Sequence, residues 1–335
     1  MSDDPPTTPV RRQWRLHKSL YPTAGAGADI THVDFGHGSS APGPTTHHER
    51  FEWPEFGWSK MDSWDRDRLF RNLQRLQLTD NMSGFSCPTL IFFYITKFLK
   101  DVVGIDVPNI RCESSCDVQE SRRVVLNAYE EQWRPRHIFG DHLDRLGEHA
   151  VVAQKMKPDA SMSDEDKRNL NQQANRKIEA AYDLLHTQKC GLPAFCTCCG
   201  AYCKTSLLDS EDTRKDSLLT MSVAGLVCTD VTRIGGRAGD TGSAYRSQCS
   251  WMWERKCEQD DMMHVECGPD WEPACLTESL GETHTILSMR LCGTQVGEVN
   301  SRDRRHTFAF KKSKAASTCV VRLCSSYMQV RNVIQ

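Results

Sequence analysis

Segments with the pattern of buried strands alternate with segments of helical periodicity along most of this chain. Apolar runs typical of strands occur at residues 109–114, 136–141, 218–223, 262–266, 284–291, 307–311 and 318–323. Helical spacing of apolar residues, or a capping signal, predicts helices at residues 62–76, 89–103, 163–186, 243–259 and 272–280. Such alternation favours parallel strands joined by crossover helices. We therefore predict an α/β fold with a Rossmann-like, mostly parallel sheet and helices on both faces.

The composition is that of a globular protein from a reducing compartment. The 335 residues are 39% apolar, enough for a large core, and no run approaches the ~18 apolar residues of a membrane span. The N-terminus lacks a secretory pattern, so we expect an intracellular location, nuclear in a eukaryote, without a membrane anchor. The 16 cysteines are then thiols or metal ligands. A balance of 42 basic and 44 acidic residues argues against non-specific coating of nucleic acid but leaves a local basic groove open.

Two regions depart from the alternation of strands and helices. Residues 1–60 are rich in Pro, Gly, Ser, Thr and His and cannot bury a core alone, so we expect a disordered tail there. Residues 145–217 contain a strongly polar helix, with a capping signal at Ser163, followed by a cysteine-rich stretch. We interpret residues 145–217 as an insert in the α/β domain.

The insert carries five cysteines within fourteen residues: Cys190, Cys196, Cys198, Cys199 and Cys203. Cys196 and Cys199 have the spacing of a metal knuckle. With Cys203 they would form a tetrahedral zinc site whose fourth ligand is either Cys190 or His186. The alternative is a cluster of buried thiols without a metal.

The predicted strand at 218–223 leads into a glycine-rich loop with a cysteine near its start. Glycine accepts backbone angles that other residues resist, so this loop can fold tightly and approach a ligand closely. Cys228 in that position can act as a nucleophile. Further along the chain, Glu266 follows a predicted strand, and Arg302 and Arg304 precede another.

A turn of small and polar residues at 79–85 precedes the apolar helix. Such a turn can bind phosphate or a charged cofactor through backbone N–H groups, or it can be an ordinary strand-to-helix connection. An acid after the second strand of a β-α-β unit commonly holds ribose hydroxyls, which indicates Asp117, with Glu113 as the substitute. Asp141, after the next strand, is placed to accept a hydrogen bond from an adenine amino group or to cap a helix.

In this order, the elements resemble the cytosine-C5 DNA methyltransferase family over about residues 78–310. The family's loop, Gly-x-Pro-Cys-Gln-x-x-Ser-x-x-Gly-x-x-x-Gly, is matched in register by Gly225, Cys228, Thr232, Gly235 and Gly239. The family's Asp-x-Phe-x-Gly turn resembles Asp80, Met82, Ser83, Gly84 and Phe85. Its Glu-Asn-Val and Gln-x-Arg-x-Arg elements resemble Glu266 with Cys267 and Gly268, and Asn300 with Arg302 and Arg304. The sequence departs from the loop at Val227 and Thr229, where the family has proline and glutamine.

The resemblance implies a methyltransferase sheet that uses S-adenosylmethionine and acts on DNA, with RNA as an open alternative. Its cofactor-binding half would be residues 61–144 and its catalytic half residues 218–335. The cofactor would be held by the turn residues Asp80, Met82, Ser83, Gly84 and Phe85 together with Asp117 and Asp141.

The resemblance also implies how the catalytic residues act. The Cys228 thiolate would attack carbon 6 of a flipped cytosine while Glu266 donates at N3. Arg302 and Arg304 would hold the base oxygen and the neighbouring backbone. A hypothesis of a different class is a catalytically degenerate, methyltransferase-like module, held by structural zinc, that binds nucleic acid or serves in assembly.

Overall fold

The computed structural model describes residues 31–33, 58, 61–82, 84, 87–107, 110, 112–131, 134–147, 156, 158–187, 193–205, 218–226, 245–271, 273–292 and 303–314. These residues form one large sheet, a separate hairpin, and helices packed on both faces of the sheet.

Within the described residues, ten strands make up the two sheets. They are β1 (Thr31–Val33), β2 (Leu76–Asn81), β3 (Cys112–Cys116), β4 (His137–Phe139), β5 (Pro193–Cys196), β6 (Ala201–Lys204), β7 (Leu219–Gly225), β8 (Met262–Cys267), β9 (His284–Cys292) and β10 (Asp303–Lys311). The large sheet has the order β1-β9-β10-β8-β7-β2-β3-β4, and β5 and β6 form the hairpin. In the large sheet β10 pairs antiparallel with β8 and β9, and every other pair is parallel.

The order of the parallel strands reverses between β2 and β7. The chain runs outward from β2 through β3 to β4, then returns to lay β7 on the other side of β2 and β8 beyond it. In open α/β sheets, ligands bind outside the carboxyl ends of the strands at such a reversal. The residues that follow β2 and β7 therefore border the crevice where a ligand is expected.

In the part of the chain that the structure describes, six α-helices cover the sheet: α1 (Ser63–Leu73), α2 (Cys87–Phe98), α3 (Glu120–Asn127), α4 (Asp164–Thr187), α5 (Tyr245–Glu258) and α6 (Ala274–Leu280). Successive residues of a strand point to opposite faces of the sheet. In β7, Val223 packs in the core formed with α1 and α2, whereas Ala224 packs in the core formed with α4, α5 and α6. The described helices include none long and apolar enough to cross a membrane.

The polar helix α4 is part of the main core despite its charged sequence. Its buried positions Ala174, Ile178, Ala181 and Leu185 recur every three or four residues, which places them along one face of the helix. This face packs in the same core as α5. At the start of α4, Ser163 Oγ accepts from the backbone N–H of Asp166 at 3.1 Å, which confirms the predicted cap.

The predicted α/β fold, with a mostly parallel sheet covered on both faces, is confirmed. Several elements differ from the prediction, among them the β5–β6 hairpin, which was not predicted, and the helix predicted at 62–76, which ends at Leu73. Residues 31–33, within the expected tail, form β1 and pair with β9, and β10 starts at Asp303 rather than at 307. The strand predicted at 318–323 lies outside the described residues.

Candidate active site

The turn after β2 has a strained backbone. Met82 and Gly84 have φ values of 51° and 56°, a left-handed conformation that is unfavourable for a residue with a side chain such as Met82. The Met82 N–H points to Cys116 Sγ at 3.5 Å, and the Gly84 N–H donates to Asp117 Oδ2 at 3.0 Å. The end of β3 thus holds the turn in place. Ser83 and Phe85 lie outside the described residues.

Asp117 lies at the carboxyl end of β3 and is 3% exposed. Besides Gly84, its carboxylate accepts from the guanidinium of Arg122 at 3.0 Å and from the backbone N–H of Gln119 at 2.8 Å. A carboxylate offers about four acceptor sites, so these three bonds leave room for one more donor. In this structure Asp117 orders the turn, and its role towards a ribose remains a prediction.

Asp141 caps the 3₁₀ helix His142–Leu146. One carboxylate oxygen accepts from the Leu143 N–H at 3.0 Å and from Ser247 Oγ at 2.9 Å. Its own N–H donates to Asp144 Oδ2 at 3.1 Å, which completes a capping box. The cap role considered from the sequence is observed, and the adenine contact remains a prediction.

A buried network of charged and polar side chains lies beside the carboxyl ends of β2 and β7. Asp80 and Asn81, at the end of β2, are 1% and 0% exposed. The Asn81 amide donates to Ser222 Oγ on β7 at 3.2 Å, and its oxygen accepts from Arg145 at 3.2 Å. Arg145 in turn donates to both oxygens of Glu254 on α5, each at 2.8 Å. The two strands at the reversal are thereby linked to α5.

Further charged groups meet at the same Glu254 carboxylate. His142 Nε2 lies 3.0 Å from Glu254 Oε2, and its Nδ1 lies 3.0 Å from Ser250 Oγ. Arg255 donates to Glu254 and, at 2.7 Å, to Asp260. Burial, with a contribution from Arg145, lowers the pKa of His142 to about 4, so the ring is neutral at pH 7. The surrounding cations, despite burial, hold the pKa of Glu254 well below its usual value.

The start of the cysteine loop lies against the turn after β2. In the sheet register Gly225 is opposite Glu266, and the Leu226 N–H donates to the Glu266 carbonyl at 2.9 Å. A Cβ on Gly225 would come within 3.1 Å of the Met82 carbonyl oxygen, so glycine permits this close approach. Cys228, two residues beyond Leu226, lies outside the described residues.

Glu266 and Arg304 form an ion pair at the carboxyl end of β8. Arg304 Nε lies 2.9 Å from Glu266 Oε1, and their side chains are 15% and 45% exposed. The contact arises because β10 runs antiparallel to β8, with His306 opposite Glu266. Two residues that are 38 positions apart in the chain are therefore brought together as expected. Arg302 lies outside the described residues.

A stack of rings continues from this ion pair along the same face of the sheet. The rings of His264 and His306 lie 5.3 Å apart and nearly parallel, with His264 Nε2 3.0 Å from His306 Nδ1. The ring of Phe308 is nearly parallel to that of His264, with 4.6 Å between their centroids. Burial, with His306 adding to it, lowers the pKa of His264 to about 3. The surface next to Glu266 is therefore aromatic and uncharged at neutral pH.

Three of the predicted zinc ligands converge, together with a histidine that the sequence did not indicate. Sulfur atoms of Cys196, Cys199 and Cys203 lie within 4.8 Å of one another and of a ring nitrogen of His137 on β4. Among the described residues this group does not include His186, and Cys190 lies outside them. His137 was missed because it is 59 positions before Cys196 and has no ligand spacing in the sequence.

The comparisons with known proteins identify no family for this chain. No family model matches it, and no curated protein matches it. Among solved structures it is similar to a protein encoded within a prophage of E. coli and assigned as a DNA modification methyltransferase. That match has 12% identity and a TM-score of 0.30, and it covers 71% of this chain and 47% of the other. The chain therefore spans about half the length of that structure, and a similarity this weak carries no argument about function.

Proposed function

We propose that the protein transfers a methyl group from S-adenosylmethionine to carbon 5 of a flipped cytosine in DNA, through a covalent bond to Cys228. The observation that carries this proposal is the ion pair of Glu266 and Arg304 next to the start of the Cys228 loop. The pair supplies an acid and a cation where a pyrimidine would need them. The resemblance to cytosine-C5 methyltransferases assigns these two residues the corresponding roles.

Cys228 follows Leu226 by two residues in the sequence, and two residues of extended chain span at most ~7 Å. The Leu226 N–H is bonded to the Glu266 carbonyl. A side chain at residue 228 can therefore reach a base that also contacts Glu266.

The roles of the chain's own groups follow from the chemistry of the ring. The Cys228 thiolate forms a bond to carbon 6, and Glu266 protonates or hydrogen-bonds N3, which lets electron density collect at carbon 5. In the free protein Arg304 binds Glu266, so Arg304 must turn towards the base oxygen as the cytosine enters and leave Glu266 to contact N3. Each arginine guanidinium has five N–H donors, so Arg304 and Arg302 together can hold the oxygen of the base and a phosphate of the DNA backbone.

The residues around the reversal of the sheet fit a charged cofactor with a ribose. Met82 is a non-glycine residue at positive φ, and such strained backbones cluster at ligand-binding and active sites. The turn 80–85 would hold the amino acid part, Asp117 would use its remaining acceptor site for the ribose, and Asp141 would contact the adenine. When bound, S-adenosylmethionine supplies the methyl group as an electrophile. Loss of the carbon 5 proton then allows the bond from Cys228 to carbon 6 to break.

A trapping experiment tests the covalent mechanism. Replacing the hydrogen at carbon 5 by fluorine prevents the last step, so an oligonucleotide with 5-fluorocytosine should form a stable adduct in the presence of cofactor. The adduct should be absent in Cys228→Ser and retained in Cys257→Ser, a half-buried thiol on α5. An RNA oligonucleotide serves as the second substrate. No adduct with either nucleic acid, from protein that binds the cofactor by calorimetry, would refute the proposal.

A non-catalytic module held by zinc is the second candidate, and the convergence of Cys196, Cys199 and Cys203 favours it. In this alternative the zinc is structural and the protein binds nucleic acid without turnover. It requires that S-adenosylmethionine does not bind in calorimetry. It also requires that Cys228→Ser leaves nucleic-acid affinity unchanged. Detection of methyl transfer would exclude it.

A further inference from the structure

The hairpin β5–β6 has the backbone of a metal knuckle. Gly200 directly follows Cys199 and has a φ of 65°, and its N–H donates to the Cys196 carbonyl at 2.9 Å. A left-handed residue at this position turns the chain so that cysteines three apart face the same point, and glycine adopts it without strain. Cys203 on the returning strand then adds a third sulfur.

The fourth donor comes from the large sheet. His137 Nδ1 lies 3.5 Å from Cys199 Sγ, and the four donor atoms all lie within 4.8 Å of one another. A tetrahedral zinc ion with Zn–S near 2.3 Å and Zn–N near 2.0 Å separates its sulfur and nitrogen ligands by about 3.5 Å and its sulfurs by about 3.8 Å. The group therefore needs little rearrangement to bind zinc. Three thiolates and an imidazole are also donors that suit this ion.

The hairpin covers the open edge of the large sheet. β4 is the last strand on its side, and unpaired backbone groups at such an edge need partners. The Ile138 N–H donates to Cys196 Sγ at 3.3 Å, and its carbonyl accepts from the Thr197 N–H at 2.8 Å. The ring of Phe139 packs in a small core with Ala194 and Cys196. The knuckle therefore docks on β4 through residues that are ligands or sequence neighbours of the ligands.

We propose that His137, Cys196, Cys199 and Cys203 bind one zinc ion, and that this zinc fastens the hairpin to β4. The ion takes the three sulfurs as thiolates, so binding releases their protons to solvent, and it takes the histidine as neutral imidazole. No redox step is involved. His137 is thereby the residue that joins the cysteine-rich segment to the α/β sheet.

The position of this zinc also connects it to the cofactor crevice. The carbonyl of Phe139 accepts from the Asp117 N–H at 3.2 Å, and Asp141 follows two residues later. β4 is bonded to Asp117 and leads directly into Asp141, so loss of the metal should make the backbone around these two residues more mobile. This second part rests on the proposed function, whereas the metal site does not.

The metal site is tested on the full chain by elemental analysis and by cobalt substitution. We expect one zinc per chain, and in the Co²⁺ form a thiolate charge-transfer band with the intensity of three sulfurs. His137→Cys should keep the metal and raise that band by about one third, as a fourth thiolate adds to the three. His137→Ala should weaken zinc binding on the order of 100-fold or more, since losing even an outer-shell partner costs 10- to 100-fold.

Two controls separate this ligand set from the others. Cys198→Ser, in the same knuckle but outside the group, and His186→Ala, the fourth ligand considered from the sequence, should both keep full zinc content. A loss of zinc in His186→Ala, or a band in His137→Cys identical to that of the wild type, would overturn the assignment to His137. Absence of zinc and of Co²⁺ binding in folded wild-type protein would overturn the site itself.

The connection to the crevice is tested by calorimetry with S-adenosylmethionine before and after removal of the metal by a chelator. We expect weaker cofactor binding in the metal-free protein and recovery after zinc is returned. Equal affinity in both forms would overturn the connection. If the cofactor binds neither form while the metal results hold, the proposed function fails and the zinc site stands.

Discussion

Replacing Glu254 by glutamine should destabilise the protein strongly, because this carboxylate is the centre of the buried ionic network. Its side chain is 4% exposed and that of Arg145 is 2% exposed. Arg145 donates to both of its oxygens, and Arg255 and His142 contact it as well. Arg255 would keep its bond to Asp260. Among the ion pairs of the described residues, Arg145 has no carboxylate partner besides Glu254.

The expected loss follows from leaving the Arg145 charge uncompensated. Breaking a buried ion pair by removing one partner costs about 3–5 kcal/mol. Glutamine keeps the shape of the side chain and one acceptor oxygen, so we expect the lower end, about 3 kcal/mol. For a domain of this size 1 kcal/mol corresponds to roughly 2–4 °C in Tm, which gives a decrease of roughly 6–12 °C.

Thermal unfolding followed by circular dichroism measures this decrease. The matched control is Asp101→Asn, which removes the same charge from a pair with Lys97 whose side chains are about half exposed. It should cost less than about 0.5 kcal/mol. The double variant Arg145→Gln/Glu254→Gln should lose less than the sum of its two single variants, because the charges disappear together. A Tm for Glu254→Gln within 2 °C of the wild type would refute this account of the network.

Two further predictions concern pH and backbone contact. The free energy of unfolding should fall as the pH is lowered from 6.5 towards 4, by up to about 3 kcal/mol from His142, because the unfolded histidine takes up a proton near pH 6.5 and the buried one only near 4. Denaturant unfolding at pH 7 and 5 should show a smaller pH difference in His142→Gln than in the wild type; an equal difference would contradict the prediction. Gly225→Ala should cost about 1–3 kcal/mol, since the new methyl meets the Met82 carbonyl at 3.1 Å and the strained turn has little room to move. In Gly84→Ala nothing lies within 4 Å of the new methyl, so only the left-handed backbone is penalised, and an equal cost in both variants would contradict the contact argument.

The strands and helices of the fold were predictable where a local pattern decides them. The strand expected at 262–266 is Met262–Cys267, and the helix expected at 243–259 is Tyr245–Glu258. The strand alternates buried and partly buried residues, which is the period that a half-buried strand requires. β10 was predicted too short because its first residues are charged, and they join the strand only through pairing with β8 and β9. Such pairing is not encoded in the segment itself.

The candidate site was predictable only in part, since motifs give residue order but not contacts. The resemblance implied that Glu266 and Arg304 would lie together, and their side chains do form an ion pair, whereas their catalytic roles remain a prediction. The bonds of Asp117 to Gly84 and Arg122 were not foreseen, because a carboxylate after a strand has the same sequence pattern whether it binds a ligand or its own chain. His137 as a neighbour of the three cysteines depends on docking between segments distant in the chain.

The antiparallel strand β10 has a consequence for the newly made chain. It lies between β8 and β9 although it is synthesised after both. While the protein emerges from the ribosome, β8 and β9 cannot be joined in the sheet until β10 has been synthesised. Arg304 is on β10, so its ion pair with Glu266 forms only when β10 pairs with β8. A polypeptide that ends before residue 303 would therefore lack both the strand that joins β8 to β9 and the ion pair of Glu266 with Arg304.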